Sequence, residues 1–245
     1  MRRLLLTTVF AGTLACAAAA NVPLSFVMKK SGLATKGVSW QQARGTIWNG
    51  QVTGLTVQGE AAGAVAGEFS LVRLLQGQPG HLLHWSGPSG YGTALASPAQ
   101  GGVHLQDGQA VITFDAARIS AAFPAQDVSL RLSNVAMDLE PDGCRTATGN
   151  VSTDALAHIS AVYGATWPEL TGFLSCDQGE LVISLEGIAA DGTQIAAKAY
   201  VQGGGRLELW DVPDGQADAL LLAGFTNEAG KFVYMQQSSR GEISQ

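Results

Sequence analysis

Apolar and polar residues alternate along most of the chain after Lys30. Alternation with a period of two buries one face of a strand and leaves the other face solvated or covered by another element. Glycine-rich turns separate the runs, of which the clearest are 103–105, 110–114, 128–132, 181–186, 195–201, 207–209 and 232–234. Asp107-Gly108 lies between the first two runs and is a typical signal of a hairpin turn. The pattern therefore predicts an all-β, mostly antiparallel body.

Helical patterns are few and short. The best candidate covers residues 152–163, which begin with polar capping residues and continue with apolar residues on one side. Shorter helices are expected at 69–76, 115–123 and 216–223, the last ending before Gly224. No low-complexity linker interrupts the body. We therefore predict one β domain over residues 31–245, which can be divided into two similar halves, each a strand cluster followed by a short helix.

Residues 1–30 differ from the body. Arg2 and Arg3 precede a stretch without charge that runs from Leu4 to Met28. A membrane-spanning helix over about residues 4–26, a cleaved secretory signal and a lipoprotein signal using Cys16 all fit this pattern, and the spanning helix is the interpretation we favour. Because Arg2 and Arg3 are expected to stay in the cytoplasm, each interpretation places the body across the membrane.

Composition excludes two classes of protein. The chain has 245 residues, of which 46% are hydrophobic and 14% are charged, and 31 are glycine. Charged residues usually make up about 25% of a globular chain, and an ordinary disordered chain depends on charged and polar residues. The 14 Lys and Arg residues against 20 Asp and Glu residues give a net charge of −6. A general nucleic-acid-binding protein is therefore not expected, because it needs a surplus of positive charge.

The body contains two cysteines, Cys144 and Cys176. In an oxidising compartment such a pair is expected to form one disulfide. Two buried free thiols are the alternative. A zinc site fits less well, because neither cysteine has a second Cys or a His two to four residues away.

No residue pattern points to catalysis. On a strand, His81 and His84 would face opposite sides and could not bind one metal ion together, whereas on a helix they could. His104 and His158 do not stand in a recognisable signature with a serine or cysteine nucleophile. We therefore predict a protein that is not an enzyme, with no catalytic residues, no cofactor and no metal site.

The tryptophans are spread along the chain, one in each strand cluster: Trp40, Trp48, Trp85, Trp167 and Trp210. Large aromatic side chains usually anchor a core or a sheet edge. The alternative is that they line an apolar groove or a surface for a partner.

Several short elements occur together in a fixed order. Residues 45–50 form a G-T-x-W-x-G element, and further elements follow at 143–151, 170–179 and 220–232. The ordered set, together with Pro23 after the apolar N-terminal segment, resembles protein N of the bacterial type II secretion system over nearly the whole chain. The motif residues on which this resemblance depends are Gly45, Thr46, Trp48, Gly50, Gly172, Gly224 and Phe225.

The resemblance implies a location and a function. It implies a single-pass protein of the bacterial inner membrane with a periplasmic body, acting as a non-enzymatic accessory component of type II secretion. The partners would be other inner-membrane or periplasmic secretion components, contacted through a sheet edge or through apolar faces that carry tryptophan.

The same resemblance implies an architecture and an alternative function. Protein N is similar to the AsmA-like superfamily, whose long, curved sheets form an open groove or half-barrel. The alternative function is therefore a groove that binds or transfers lipid.

Overall fold

The computed structural model describes residues 21–77, 79–118, 125–160, 166–201 and 203–236. Most of the predicted membrane-spanning stretch lies outside these residues. No helix within the described ranges is both long enough and apolar enough to cross a membrane. The chain divides into two compact units, Met1–Ser97 and Pro98–Gln245.

The first unit is an antiparallel sheet with the strand order β1-β3-β4-β5-β6, and β2 also pairs with β3. Its helices are short: α1 (Leu24–Lys30), a 3-10 turn (Leu33–Lys36) and α2 (Leu71–Leu75). Its strands are β1 (Val38–Ser39), β2 (Gln42–Gly45), β3 (Asn49–Val57), β4 (Glu60–Phe69), β5 (His81–Gly87) and β6 (Gly90–Ala99).

The second unit is a larger antiparallel sheet. Its strand order is β7-β8-β9-β10-β11-β12-β13-β15-β14, and because this order does not return to β7, the sheet is open. The strands are β7 (Gly102–Asp115), β8 (Asp127–Glu140), β9 (Gly143–Thr153), β10 (Leu170–Asp177), β11 (Glu180–Ile188), β12 (Gln194–Tyr200), β13 (Gly205–Trp210), β14 (Thr226–Glu228) and β15 (Lys231–Gln236). The helices are α3 (Ala155–Ser160) and α4 (Asp214–Leu222), and Ala116–Arg118 forms a 3-10 turn.

These elements confirm the prediction of mostly antiparallel strands in an open sheet with few short helices. The hairpin predicted at Asp107-Gly108 is wrong, because β7 continues through both residues. The register against β8 shifts on either side of Gly108, and Asp107 has a φ of 53°. Residues with a positive φ occur in β-bulges as well as in hairpin turns, and Asp107-Gly108 forms a bulge.

The predicted helix over 152–163 begins later than expected. Ser152 and Thr153 still belong to β9 and pair with Thr171 and Leu170 of β10. Their side chains could have capped a helix, but cross-strand pairing takes precedence here. Helix α3 therefore starts at Ala155.

One face of the second sheet forms the core. A single row of cross-strand partners crosses eight strands and consists of Ala110, Leu132, Val151, Gly172, Leu185, Ala197, Leu207 and Tyr234. Cross-strand partners point to the same face, so this face is continuously apolar. Leu156 of α3, Leu220 of α4 and Phe225 pack against it. In the described part of the first unit, Val52 and Leu95 are the buried hydrophobic side chains.

Candidate functional site

The G-T-x-W-x-G element forms the turn between β2 and β3. The backbone N–H of Thr46 donates to the carbonyl of Asn49 at 2.9 Å. The Thr46 hydroxyl accepts from the N–H groups of Trp48 and Asn49, each at 3.3 Å. Gly45 has a φ of 83°, and a Cβ there would lie 2.3 Å from the Asn49 carbonyl oxygen. Gly45 and Thr46 therefore shape the turn itself.

The same turn holds the segment that follows the N-terminal apolar stretch. Ile47 donates its N–H to the carbonyl of Val22 at 3.1 Å, and Pro23 forms an antiparallel bridge with Thr46. A Cβ on Gly50 would lie 2.6 Å from the Thr46 carbonyl oxygen and 2.7 Å from Cδ2 of Leu24. Gly50 thus leaves the space that α1 occupies over the hairpin.

Trp48 links this turn to the end of β4. Phe69 donates its N–H to the Trp48 carbonyl at 2.7 Å, and the two rings pack edge to face with centroids 4.9 Å apart. The ring of His81 lies 5.1 Å from that of Phe69, and its Nε2 lies 2.8 Å from the Ile47 carbonyl oxygen. His81 is therefore part of a structural cluster with Trp48 and Phe69.

Three other tryptophans contact structural groups. Trp85 donates its ring N–H to the Ala62 carbonyl at 2.6 Å. Trp167 packs against the core of the second unit, and Nζ of Lys231 lies 5.1 Å from the ring centre of Trp210. These positions correspond to the interpretation of tryptophans as core and edge anchors.

Gly172 lies in the middle of the core-facing row of the second sheet. A Cβ at this position would lie 1.8 Å from the Ser184 carbonyl oxygen and 2.8 Å from Cα of Leu185. The obstructing atoms are backbone atoms of β11, which cannot move without disturbing the ladder. A glycine at this position therefore permits the close approach of β10 to β11.

Gly224 and Phe225 end α4 and attach it to the sheet. Gly224 has a φ of 93° and donates its N–H to Leu221, while Phe225 donates to Leu220. This pair of bonds is typical of a helix that ends on a left-handed glycine. The Phe225 ring is buried and lies 5.4 Å from that of Tyr234, so these two motif residues fix the helix over the core face.

Cys144 and Cys176 form the predicted disulfide, with their Cα atoms 5.7 Å apart. The ladder between β9 and β10 covers only residues 150–153 and 170–173. The disulfide lies beyond the end of that ladder, where Cys144 also donates its N–H to the Gly179 carbonyl at 2.8 Å. It thus joins two strands at a place where the described backbone does not pair them.

An apolar cavity of about 290 Å³ opens on the core face of the second unit. Its walls come from α3 and from eight strands of the sheet, and they include Leu130, Leu156, Leu170, Ile183, Leu207 and Tyr234. Sequence patterns could not reveal this cavity, because it depends on which residues the strand register brings together. Its chemistry suits an apolar ligand.

The carboxylates with shifted pKa values bind structural partners. Burial raises the pKa of Asp154, but the hydroxyl and backbone N–H of Ser129 donate to it at 2.6 and 2.7 Å and lower the pKa below 3.8. Hydrogen bonds from Thr146 and His104 lower the pKa of Asp138. A hydroxyl nucleophile needs a hydrogen bond to its base, but the Thr146 hydroxyl bonds to Asp138 and not to the imidazole of His104. Thr146 and His104 therefore do not form a nucleophile–base pair. The described residues contain no group of three or more His, Cys, Asp or Glu side chains that could hold a metal ion.

Comparison with known families places the chain in a secretion family. The family described as type II secretion system (T2SS), protein N, matches residues 36–233. That range includes every motif residue named above and both cysteines of the disulfide. No curated protein and no solved structure gives a match.

Proposed function

This chain belongs to the protein N family of the type II secretion system, and we propose that it is an accessory component anchored in the bacterial inner membrane with its body in the periplasm. The family match over residues 36–233 carries this proposal. It supports a part in secretion that is not catalytic, and the carboxylates and histidines described above have structural partners.

Two features support the location. The uncharged residues 4–20, which precede the segment attached to the first sheet, number 17, within the range of about 17–25 that a spanning helix requires, and Arg2 and Arg3 precede them. The disulfide between Cys144 and Cys176 is of the kind that persists in an oxidising compartment such as the periplasm.

One surface of the second unit is suited to binding a secretion partner. Strand β14 is the last strand of the sheet, all three of its residues are exposed, and its outer edge has no strand partner among the described residues. Leu221 and Leu222 at the end of α4 are exposed beside it, Leu222 at 90%. We call β14 with these two leucines the β14–α4 surface. Its open edge can accept an added strand, and the leucines can pack against an apolar partner.

Co-purification tests this assignment. The full chain is solubilised with the secretion machinery from the membranes of its host and is then isolated. We expect other type II secretion components to co-purify with the wild type and to be lost from a Leu222→Lys variant. Val201, which is 60% exposed at the end of β12, provides the matched control, and Val201→Lys should retain the partners. Equal recovery with both variants would contradict a role for the β14–α4 surface, and recovery of no secretion component with the wild type would contradict the proposed function.

The apolar cavity favours lipid binding of the AsmA-like kind as the second candidate. Its volume is close to the lower limit of about 300–1,000 Å³ for small-molecule pockets. Ala197 lines the cavity, and a larger side chain there should fill it. Native mass spectrometry should find acyl chains on the wild type and fewer on Ala197→Phe. If lipid is bound while no secretion component co-purifies, lipid handling is the better account.

A further inference from the structure

Helix α2 presents an unusual surface for so short an element. Of its five residues, Leu71, Val72, Leu74 and Leu75 are apolar and exposed, with Leu71 at 69% and Leu75 at 90%. The helix is nevertheless well defined, because the Ser70 hydroxyl accepts the N–H of Arg73 and the Ser70 carbonyl accepts that of Leu74. We call these four apolar side chains the α2 surface. A contiguous exposed apolar patch of this kind usually marks a contact with a partner or a membrane.

The α2 surface lies at the end of the first unit where the chain emerges from its N-terminal apolar stretch. Phe69, two residues before α2, donates to Trp48, and Ile47 of the same turn donates to Val22. Residues 4–20, which precede Asn21, contain no charged side chain and are mostly apolar. The end of that stretch and the α2 surface are therefore linked through a single turn.

Strand direction shows which connections share this end. In an antiparallel sheet, successive connections alternate between its two ends. The β2–β3 turn and the β4–β5 connection, which contains α2, lie at one end. The β3–β4 and β5–β6 turns lie at the other, and Tyr91 follows the β5–β6 turn. Tyr91 is thus an exposed position away from the α2 surface.

Charge distinguishes the two units. Residues 21–97 contain five Lys and Arg against two Asp and Glu, whereas residues 98–245 contain seven against eighteen. Arg73 belongs to α2, and Arg44 and Glu68 lie at the same end of the first unit. A basic surface with exposed leucines, a partly exposed tryptophan and few acidic groups suits the interface of an anionic membrane.

We propose that the α2 surface rests in the headgroup region of the membrane that holds the N-terminal segment. The proposal rests on the anchoring described under the proposed function and adds a second point of attachment. The first unit is then held to the lipid both by the chain that emerges at Val22 and by the leucines of α2. Two attachments fix the orientation of its sheet against the membrane, which a single attachment cannot do.

Spin labelling of the full chain tests this inference. The chain is placed in vesicles of phosphatidylethanolamine and phosphatidylglycerol. The Cys16→Ala background removes the other cysteine that the label could modify, while Cys144 and Cys176 stay in their disulfide. A nitroxide is attached to Leu75→Cys or, as the matched control, to Tyr91→Cys, which is 62% exposed in the native chain. Accessibility to oxygen, which concentrates in lipid, is compared with accessibility to a water-soluble nickel complex. We expect the label at position 75 to favour oxygen several-fold over the nickel complex, and the label at position 91 to favour the nickel complex.

Two other outcomes at position 75 would overturn the inference. If the label at position 75 is as accessible to the nickel complex as the label at position 91, the α2 surface lies in water. A label protected from both reagents shows that protein covers the surface, for example the N-terminal segment itself or a second copy of the chain.

Vesicle flotation of the same samples tests the anchor separately. A chain that floats with α2 in water contradicts only this inference, whereas a chain that does not float contradicts the anchor and, with it, the second attachment.

Discussion

The carbonyl oxygen of Val22 accepts the backbone N–H of Ile47 at 3.1 Å. The bond joins the start of the described chain to the centre of the G-T-x-W-x-G element, 25 residues further along the sequence. The element therefore does more than form a hairpin turn. It fastens the segment leading out of the N-terminal apolar stretch to the first sheet, so that a tether there and the body are mechanically connected.

Gly50 should be essential for this attachment. In Gly50→Ala the new methyl group would collide with the Thr46 carbonyl oxygen and with Leu24, so α1 should move away from the hairpin. Hydrogen exchange of the Ile47 amide and tryptic cleavage after Lys29 and Lys30 should both become several-fold faster.

Gly67 provides the matched control, because it is the cross-strand partner of Gly50. A Cβ there would meet only Cδ2 of Leu83, at 3.3 Å, and that methyl group can rotate away. Gly67→Ala should therefore leave both rates close to those of the wild type. Equal rates in the two variants would contradict the attachment role of Gly50.

Gly172, the glycine of the core-facing row, should not tolerate an added side chain. Gly172→Ala forces β10 and β11 apart and is expected to lower the free energy of unfolding by about 1–3 kcal/mol, the usual range for overpacking. Gly215→Ala is the control, because no atom lies within 4 Å of its Cβ and it stands in α4, where alanine gains up to about 1 kcal/mol over glycine. Urea titration of both variants checks the prediction. A free energy of unfolding of Gly172→Ala equal to that of the wild type would contradict it.

Removal of the disulfide should destabilise the second unit. Cys144 and Cys176 are 32 residues apart, which corresponds to about 3–4 kcal/mol in the chain-entropy account. The double variant Cys144→Ala/Cys176→Ala should unfold at a lower urea concentration than the wild type. Dithiothreitol should lower the unfolding midpoint of the wild type toward that of the variant, and it should leave the midpoint of the variant unchanged. Alkylation of both cysteines in unreduced protein would show that the bond does not form.

Stability should fall in acid through Asp154. The pKa of Asp154 is lowered from its ordinary value of 3.8 in the folded chain. The ionised carboxylate therefore stabilises the folded chain at pH values above that ordinary pKa. This contribution should be lost progressively as the pH falls from about 5 through 3.8 and below. Asp154→Asn should unfold with a shallower acid dependence than the wild type, whereas Asp218→Asn, at an exposed position of α4, should retain the wild-type slope. Identical slopes for wild type and Asp154→Asn would contradict the assignment.

The fold class could be predicted from the sequence, because alternation identifies strands such as 128–132 and 195–201 directly. The ends of elements could not. Asp107-Gly108 is compatible with a hairpin and with a bulge, and only the partner strand β8 decides between them. Ser152 and Thr153 could have begun a helix, but pairing with β10 keeps them in a strand.

The candidate sites were predictable to different degrees. The pairing of Cys144 with Cys176 could be expected, because they are the two cysteines of the body. The cavity could not, since it arises when register brings Leu170 and Leu207 to the same face. The sequence predicts a helix near α2, but the exposure of its leucines depends on tertiary packing that periodicity does not describe.

Crosslinking in intact cells tests most directly whether this chain works among the components of type II secretion. A photoreactive amino acid is placed at Leu222 of the full chain, and at Val201 in the control, in cells that produce the secretion machinery. We predict a crosslinked product from position 222 that mass spectrometry identifies as another type II secretion component, with none from position 201. If position 222 gives only lipid adducts or the same products as position 201, this role is contradicted.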